Sequence, residues 1–262
     1  MVKNAINRIY LFIIFLFLYA PIMVLIVFSF NNSKSRSHWN GFTLRWYIEL
    51  FQDPVIKKAL FYTIAIALLS SLIATIVGTI AAIGIHSFND WKKTLILNIN
   101  YIPILNPDIV TGVSLMILFI FARIKLGFWT MLLAHITFNI PYVILSVLPK
   151  LKQLNSHLYE AALDLGATPL YAFFKVILPE IRPGIVTGAL LAFTLSVDDF
   201  VISFFNTSSG VTNLSITIFS MARTGINPKI NALSTIMFLT ILILLFIVNI
   251  RTSKEVKEEK AK

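Results

Sequence analysis

Six long apolar runs govern what this chain can fold into. They lie near residues 9–30, 60–85, 95–122, 127–149, 183–206 and 232–250. At 1.5 Å per helical residue each can cross about 30 Å of hydrocarbon. Lipid offers no partner to an open backbone amide or carbonyl, so such runs are expected as helices. The expected fold is therefore all-α: a polytopic membrane bundle of six transmembrane helices, one domain over residues 1–250, with a charged tail at 251–262. The composition agrees, at 57% hydrophobic, 13% charged and mean hydropathy +0.83. Soluble domains carry about 25% charged residues. Lys3 and Arg8 precede the first run, which superficially resembles a secretion signal. At about 20 residues it exceeds a signal h-region. No small-x-small site follows it, and it is read as a retained first span.

The net charge of +10 does not point to nucleic acid, because the basic residues are spread through the polar segments between apolar runs. With the N-terminus inside, thirteen Lys and Arg fall on the cytoplasmic side and nine, Lys34 and Arg36 among them, fall outside. The excess follows the positive-inside rule and puts both termini in the cytoplasm. There is no cysteine, which excludes disulfides, thiolate metal sites and cysteine nucleophiles. His38, His86, His135 and His157 are scattered without metal spacing and read as structural or exposed.

Between the fourth and fifth runs, residues 150–182 form the longest inner segment. Gly166 is placed to end a short helix, as glycine often does just past a helix end. Thr168 and Pro169 can start a second helix as N-cap and first-turn proline. Pro179 and Pro183 are expected to separate that second helix from the next span. Ala161 and Ala162 leave room for close approach by another surface.

This arrangement resembles the EAA loop of the permeases of ABC importers. That pattern is Glu-Ala-Ala, three residues, Gly, nine residues, Ile, one residue, then Leu-Pro. Here Glu160, Ala161, Ala162, Gly166, Leu178 and Pro179 fall in register, with Val176 at the Ile position. The resemblance implies that this loop, Asp164 included, docks on a cytoplasmic ABC ATPase dimer and transmits its motion. It also implies a second, homologous permease subunit, forming a heterodimer, and an extracytoplasmic binding protein. Further stretches are similar to the spermidine/putrescine importer permeases, and most of all to their C-type subunit. These are Asn106 to Gly112, Ser196 to Val201 and Asn231 to Thr235.

The intramembrane acids call for an account independent of family. A central Asp costs about 2.5–3.5 kcal/mol on insertion scales and so is expected to face a cavity or a partner. Counting 1.5 Å per residue puts Asp108, Asp198 and Asp199 in one layer, about 20 Å from the inner span ends. Such a layer suits a polycation, whose ammonium groups lose hydration on crossing. Ser196, Asp199, Ser203 and Asn206 share one sector of a continuous helix, so Asp199 is expected on the path and Asp198 against a neighbouring helix or a gate. Pro103 and Pro107 are expected to break the third span near Asp108. Trp46, near Trp39 and Tyr47, could stack on an alkylammonium or belong to an interfacial aromatic belt.

No phosphate-binding loop, H-E-x-x-H or G-x-S-x-G occurs, and no cofactor is expected. The chain reads as a conduit driven by a partner ATPase rather than as an enzyme. Two alternatives stay open. One is the same architecture importing another small solute. The other is a proton-coupled secondary transporter using Asp108 or Asp198 as proton carrier.

Overall fold

The computed structural model describes residues 2–33, 38–208, 210–224 and 228–261. Lys34, Arg36 and Lys262 lie outside them, as do the side chains of Lys3 and of the tail beyond Ile250. The helices run in the order α1 (Val2–Phe28), α2 (Arg45–Gln52), α3 (Pro54–His86), α4 (Asp90–Leu105), α5 (Asp108–Phe121), α6 (Phe128–Gln153), α7 (Ser156–Asp164) and α8 (Pro169–Ala172). A π segment (Phe173–Ile177) leads into α9 (Leu178–Asp198), followed by α10 (Val201–Asn206), α11 (Leu214–Thr224) and α12 (Lys229–Ala261). Five helical stretches are long and apolar enough to cross a membrane, and α4 with α5 makes a sixth if counted as one broken span. The all-helical expectation holds, with two corrections.

The first correction concerns the third span. The expected break is there, as two helices at 104°, but it falls at Pro107 alone, while Pro103 stays inside α4. Pro107 lacks an N–H to continue the hydrogen-bond ladder of α4, and Asn106 is extended at φ −76°, ψ 145°. The carbonyl of Pro107 then starts α5 by accepting from Val110 N at 2.9 Å.

The second correction concerns the fifth. Pro179 and Pro183 do not separate the inner helix from the span. Pro179 falls in the first turn of α9, where a missing N–H matters least. The preceding π turn takes up the misfit upstream. Helix therefore runs from Pro169 to Asp198. The expected continuity fails at the other end, where α9 stops at Asp198 and α10 restarts at Val201.

Contacts divide the chain into two compact units. The larger, Phe61–Asn213 with Ile241–Lys262, is organised by α6 and α9. Apolar burial drives little association in lipid, so helices there depend on close approach. Glycines supply it. A Cβ on Gly184 would stand 2.7 Å from the Ser146 carbonyl oxygen, and one on Gly188 would stand 3.2 Å from Val143 Cα. A Cβ on Gly78 of α3 would meet the Val143 side chain at 2.8 Å. Val143, Val147, Ile144, Ile181 and Ala192 fill the core that results.

The smaller unit comprises Met1–Leu60 and Leu214–Thr240. Trp46, Leu50, Ile56, Leu214 and Leu233 form its core. Asp53 caps α3 by accepting from Val55 N at 3.0 Å, and Lys229 at the start of α12 reaches Asp53 at 3.3 Å. Much of the expected outer loops is thus helix, as α2 and α11.

Candidate functional site

Two places in the larger unit gather the residues singled out by sequence. The first is the break between α9 and α10. Asp199 ends the α9 ladder with its own N–H on the Leu195 carbonyl at 3.1 Å, then turns extended. Its carboxylate caps α10: Oδ1 accepts from Ile202 N at 3.1 Å and Oδ2 from Ser203 N at 2.7 Å. Such a cap satisfies amides that have no partner within their own helix. His135, from α6, places Nε2 2.9 Å from Ser203 Oγ and 3.4 Å from Asp199 Oδ2. Asn213 donates from Nδ2 to the Asp199 carbonyl oxygen at 3.0 Å and to Ser203 Oγ at 2.8 Å.

The Asp199 side chain is only 7% exposed. Asp199, expected on the path, is thus the more enclosed of the two acids, and Asp198 is the exposed one. The reason is the break itself. Sector arithmetic on a continuous helix fails where the helix stops.

Ser196 is also committed inward. Its Oγ accepts from Asn139 Nδ2 at 2.7 Å and lies 3.0 Å from Ser70 Oγ. Asn206 donates to the Gly112 carbonyl at 3.1 Å, tying α10 to α5, while Thr130 donates to the Asn206 carbonyl at 2.8 Å. The polar sector expected to line a path is thus a buried seam against α3, α5 and α6. Asp108 stands exposed in the first turn of α5, where the helix dipole favours a carboxylate. Trp46 belongs to the smaller unit. It is 3% exposed and donates from Nε1 to the Asn31 carbonyl at 2.7 Å. The Trp46 ring thus lies in the core of the smaller unit rather than at an open face. His135, Asn139 and Asn213 were missed as members of the site. The signal for the first two was legible, since His and Asn four residues apart in an apolar run share one helix face.

The second place is the segment from α7 to the π turn. Gly166 has φ +86°. Its N–H bonds the Leu163 carbonyl at 2.9 Å, and the N–H of Ala167 bonds that of Ala162 at 3.1 Å. This is the paired-bond helix end that favours glycine. Thr168 accepts from Tyr171 N at 3.3 Å and Pro169 opens α8, as expected. Ala162, Gly166, Thr168, Tyr171 and Val176 border a concavity of about 530 Å³. Leu165, which also lines it, is 90% exposed, and Leu170 in α8 is 72% exposed. Glu160 and Asp164 are exposed beside them, Ala161 is exposed, and Glu160 lies 3.5 Å from His157. Leu178 packs on the α6–α9 core, while Pro179 is exposed. Among the described residues no group of three or more His, Asp or Glu could hold a metal ion.

The apolar helical spans mark a multi-pass membrane chain. A structure of a bacterial alginate ABC transporter, bound to its periplasmic protein with an alginate pentasaccharide, contains a chain that matches with a TM-score of 0.72. That match covers 98% of this chain and 95% of that one at 16% identity. The model of the binding-protein-dependent transport system inner membrane component matches residues 74–252. The chain belongs to this family of inner membrane transport components. It is a multi-pass membrane component of a binding-protein-dependent transport system. The spermidine/putrescine transport system permease protein PotC of Haemophilus influenzae is 38% identical over 97% of this chain and 99% of its own length. The putrescine transport system permease protein PotI of Escherichia coli is 39% identical over 90% and 86%.

Proposed function

We propose that this chain, acting as one permease domain to Ile250, forms part of the path by which an ATP-driven importer carries polyamines across the cytoplasmic membrane. The observation that carries this reading is the 38% identity to a spermidine/putrescine permease along 97% of the chain. The exposed acids Asp108 and Asp198 fit it chemically, since fixed carboxylates replace the water lost by ammonium groups. Asp199 and Ser196 serve behind them as framework. The stretch from Glu160 to Pro179, matching the EAA pattern, is the docking element for a cytoplasmic ATPase dimer. Its residues Glu160, Ala161, Ala162, Asp164, Gly166, Leu178 and Pro179 shape or support that surface. Leu165 supplies apolar contact, because an exposed apolar patch of this kind marks an interaction site. Both termini face the cytoplasm in this reading. A homologous second permease and a polyamine-binding protein outside complete the assembly.

The test is uptake of labelled spermidine and putrescine by the assembled importer in proteoliposomes, with ATP inside or withheld. ATP-dependent uptake of either polyamine, competed by the other and not by unrelated solutes, is the expected result. Uptake driven by a proton gradient without ATPase, or a preference for an uncharged solute, would overturn the reading.

A further inference from the structure

We infer that His135 is a positioning residue for the acid pair: from α6 it braces Asp199 and so fixes the break that presents Asp198 to a cationic substrate. The substrate clause rests on the proposed function; the brace does not.

The geometry supports a dedicated brace. His135 is 1% exposed, and its Nε2 lies near Ser203 Oγ and Asp199 Oδ2. Its Nδ1 is buried without a protein partner. The polar bonding of the ring is thus spent on the helix break. An N–H at Nε2 can donate to either oxygen. Asn213 holds the same junction through the Asp199 carbonyl and Ser203 Oγ. Asp199 is therefore gripped at its side chain by α10 amides and His135, and at its backbone by Asn213. A carboxylate so enclosed is costly unless every partner is present. Releasing one partner favours a new arrangement of the 198–201 backbone, and Asp198 moves with it. The ring acts at a distance from any substrate, through the backbone it holds.

Side-chain chemistry separates a brace from simple core filling. Glutamine can place an amide N–H where Nε2 stands. Leucine keeps comparable bulk without a donor. Asparagine keeps the donor but is too short to reach. Because losing one partner of a buried charged group costs about one order of magnitude in an equilibrium constant, H135L is expected to raise the Km for spermidine about tenfold with Vmax nearly unchanged. H135Q is expected to restore the Km, and H135N to behave like H135L. If H135L fails to reach the membrane, H135N against H135Q carries the comparison.

A second measurement needs no substrate. The chain has no cysteine, so D198C provides one thiol whose maleimide labelling rate reports how position 198 is presented. That rate is expected to change with Leu or Asn at 135 and to stay with Gln. Equal rates and equal Km values across all three variants would overturn the brace, as would Gln failing as badly as Leu. Should the wild type take up no polyamine, the substrate reading falls while the labelling still decides the brace.

Discussion

Gly188 on α9 faces Val143 on α6 so closely that a Cβ on the glycine would stand 3.2 Å from the valine Cα. One turn earlier, Gly184 approaches the Ser146 carbonyl oxygen more closely still, at 2.7 Å. A backbone atom cannot swing aside like a side-chain tip. G184A is therefore expected to destabilise more than G188A, with the larger loss in the range of about 1–3 kcal/mol typical of overpacking. Unfolding of the purified subunit in detergent measures the order. A smaller loss for G184A would show that α6 and α9 can part without strain.

The two neighbouring acids are expected to separate cleanly. Asp199 accepts two α10 amides and is nearly enclosed. D199N keeps one acceptor and loses the other, which predicts a stability loss of about 1–3 kcal/mol for the unmet amide. D198N alters the more exposed side chain and is expected to cost less stability than D199N while weakening polyamine uptake. Unfolding and uptake on the same two preparations decide it. D198N that unfolds as early as D199N would contradict the assignment.

Leu165 makes a sharper case because it is 90% exposed. L165K is expected to change stability by less than about 0.5 kcal/mol, as surface replacements do. It is also expected to abolish co-purification with the ATPase and ATP-dependent uptake. Retained ATPase capture by L165K would remove Leu165 from the docking surface.

Trp46 is expected to behave as a core residue. W46F keeps most of the ring but abandons the bond to the Asn31 carbonyl at 2.7 Å. The predicted cost is about 1 kcal/mol of stability, with the affinity for polyamines unchanged. A changed affinity at unchanged stability would return Trp46 to the path.

How far the sequence led depends on which residues are asked. Length and apolarity were sufficient for the helices, because lipid leaves no other backbone solution. The Gly166 turn and the Thr168–Pro169 start were legible because their chemistry is local: a left-handed φ of +86° and a missing N–H. The α9–α10 break was not. Part of its setting is tertiary, since His135 and Asn213, distant in sequence, both reach the junction at Asp199 and Ser203. Without them Ser196, Asp199 and Ser203 read as one polar stripe. The 104° bend at Asn106–Pro107 was foreseen as a break but not in size, because proline removes one bond while packing sets the angle. The close glycines of α9 are a Gly-x-x-x-Gly pattern present in the sequence, and only the facing helix gives it meaning.

The helix from Pro169 to Asp198 also changes how force can travel. Its 30 residues span about 45 Å. One end begins beside the Gly166 turn and the other ends at the acid junction. Its prolines and the π turn lie within one unbroken helical run, so a displacement of the near end is expected to be passed along it. A stroke at the foot of this strut is then expected to reach its tip, where Asp198 stands.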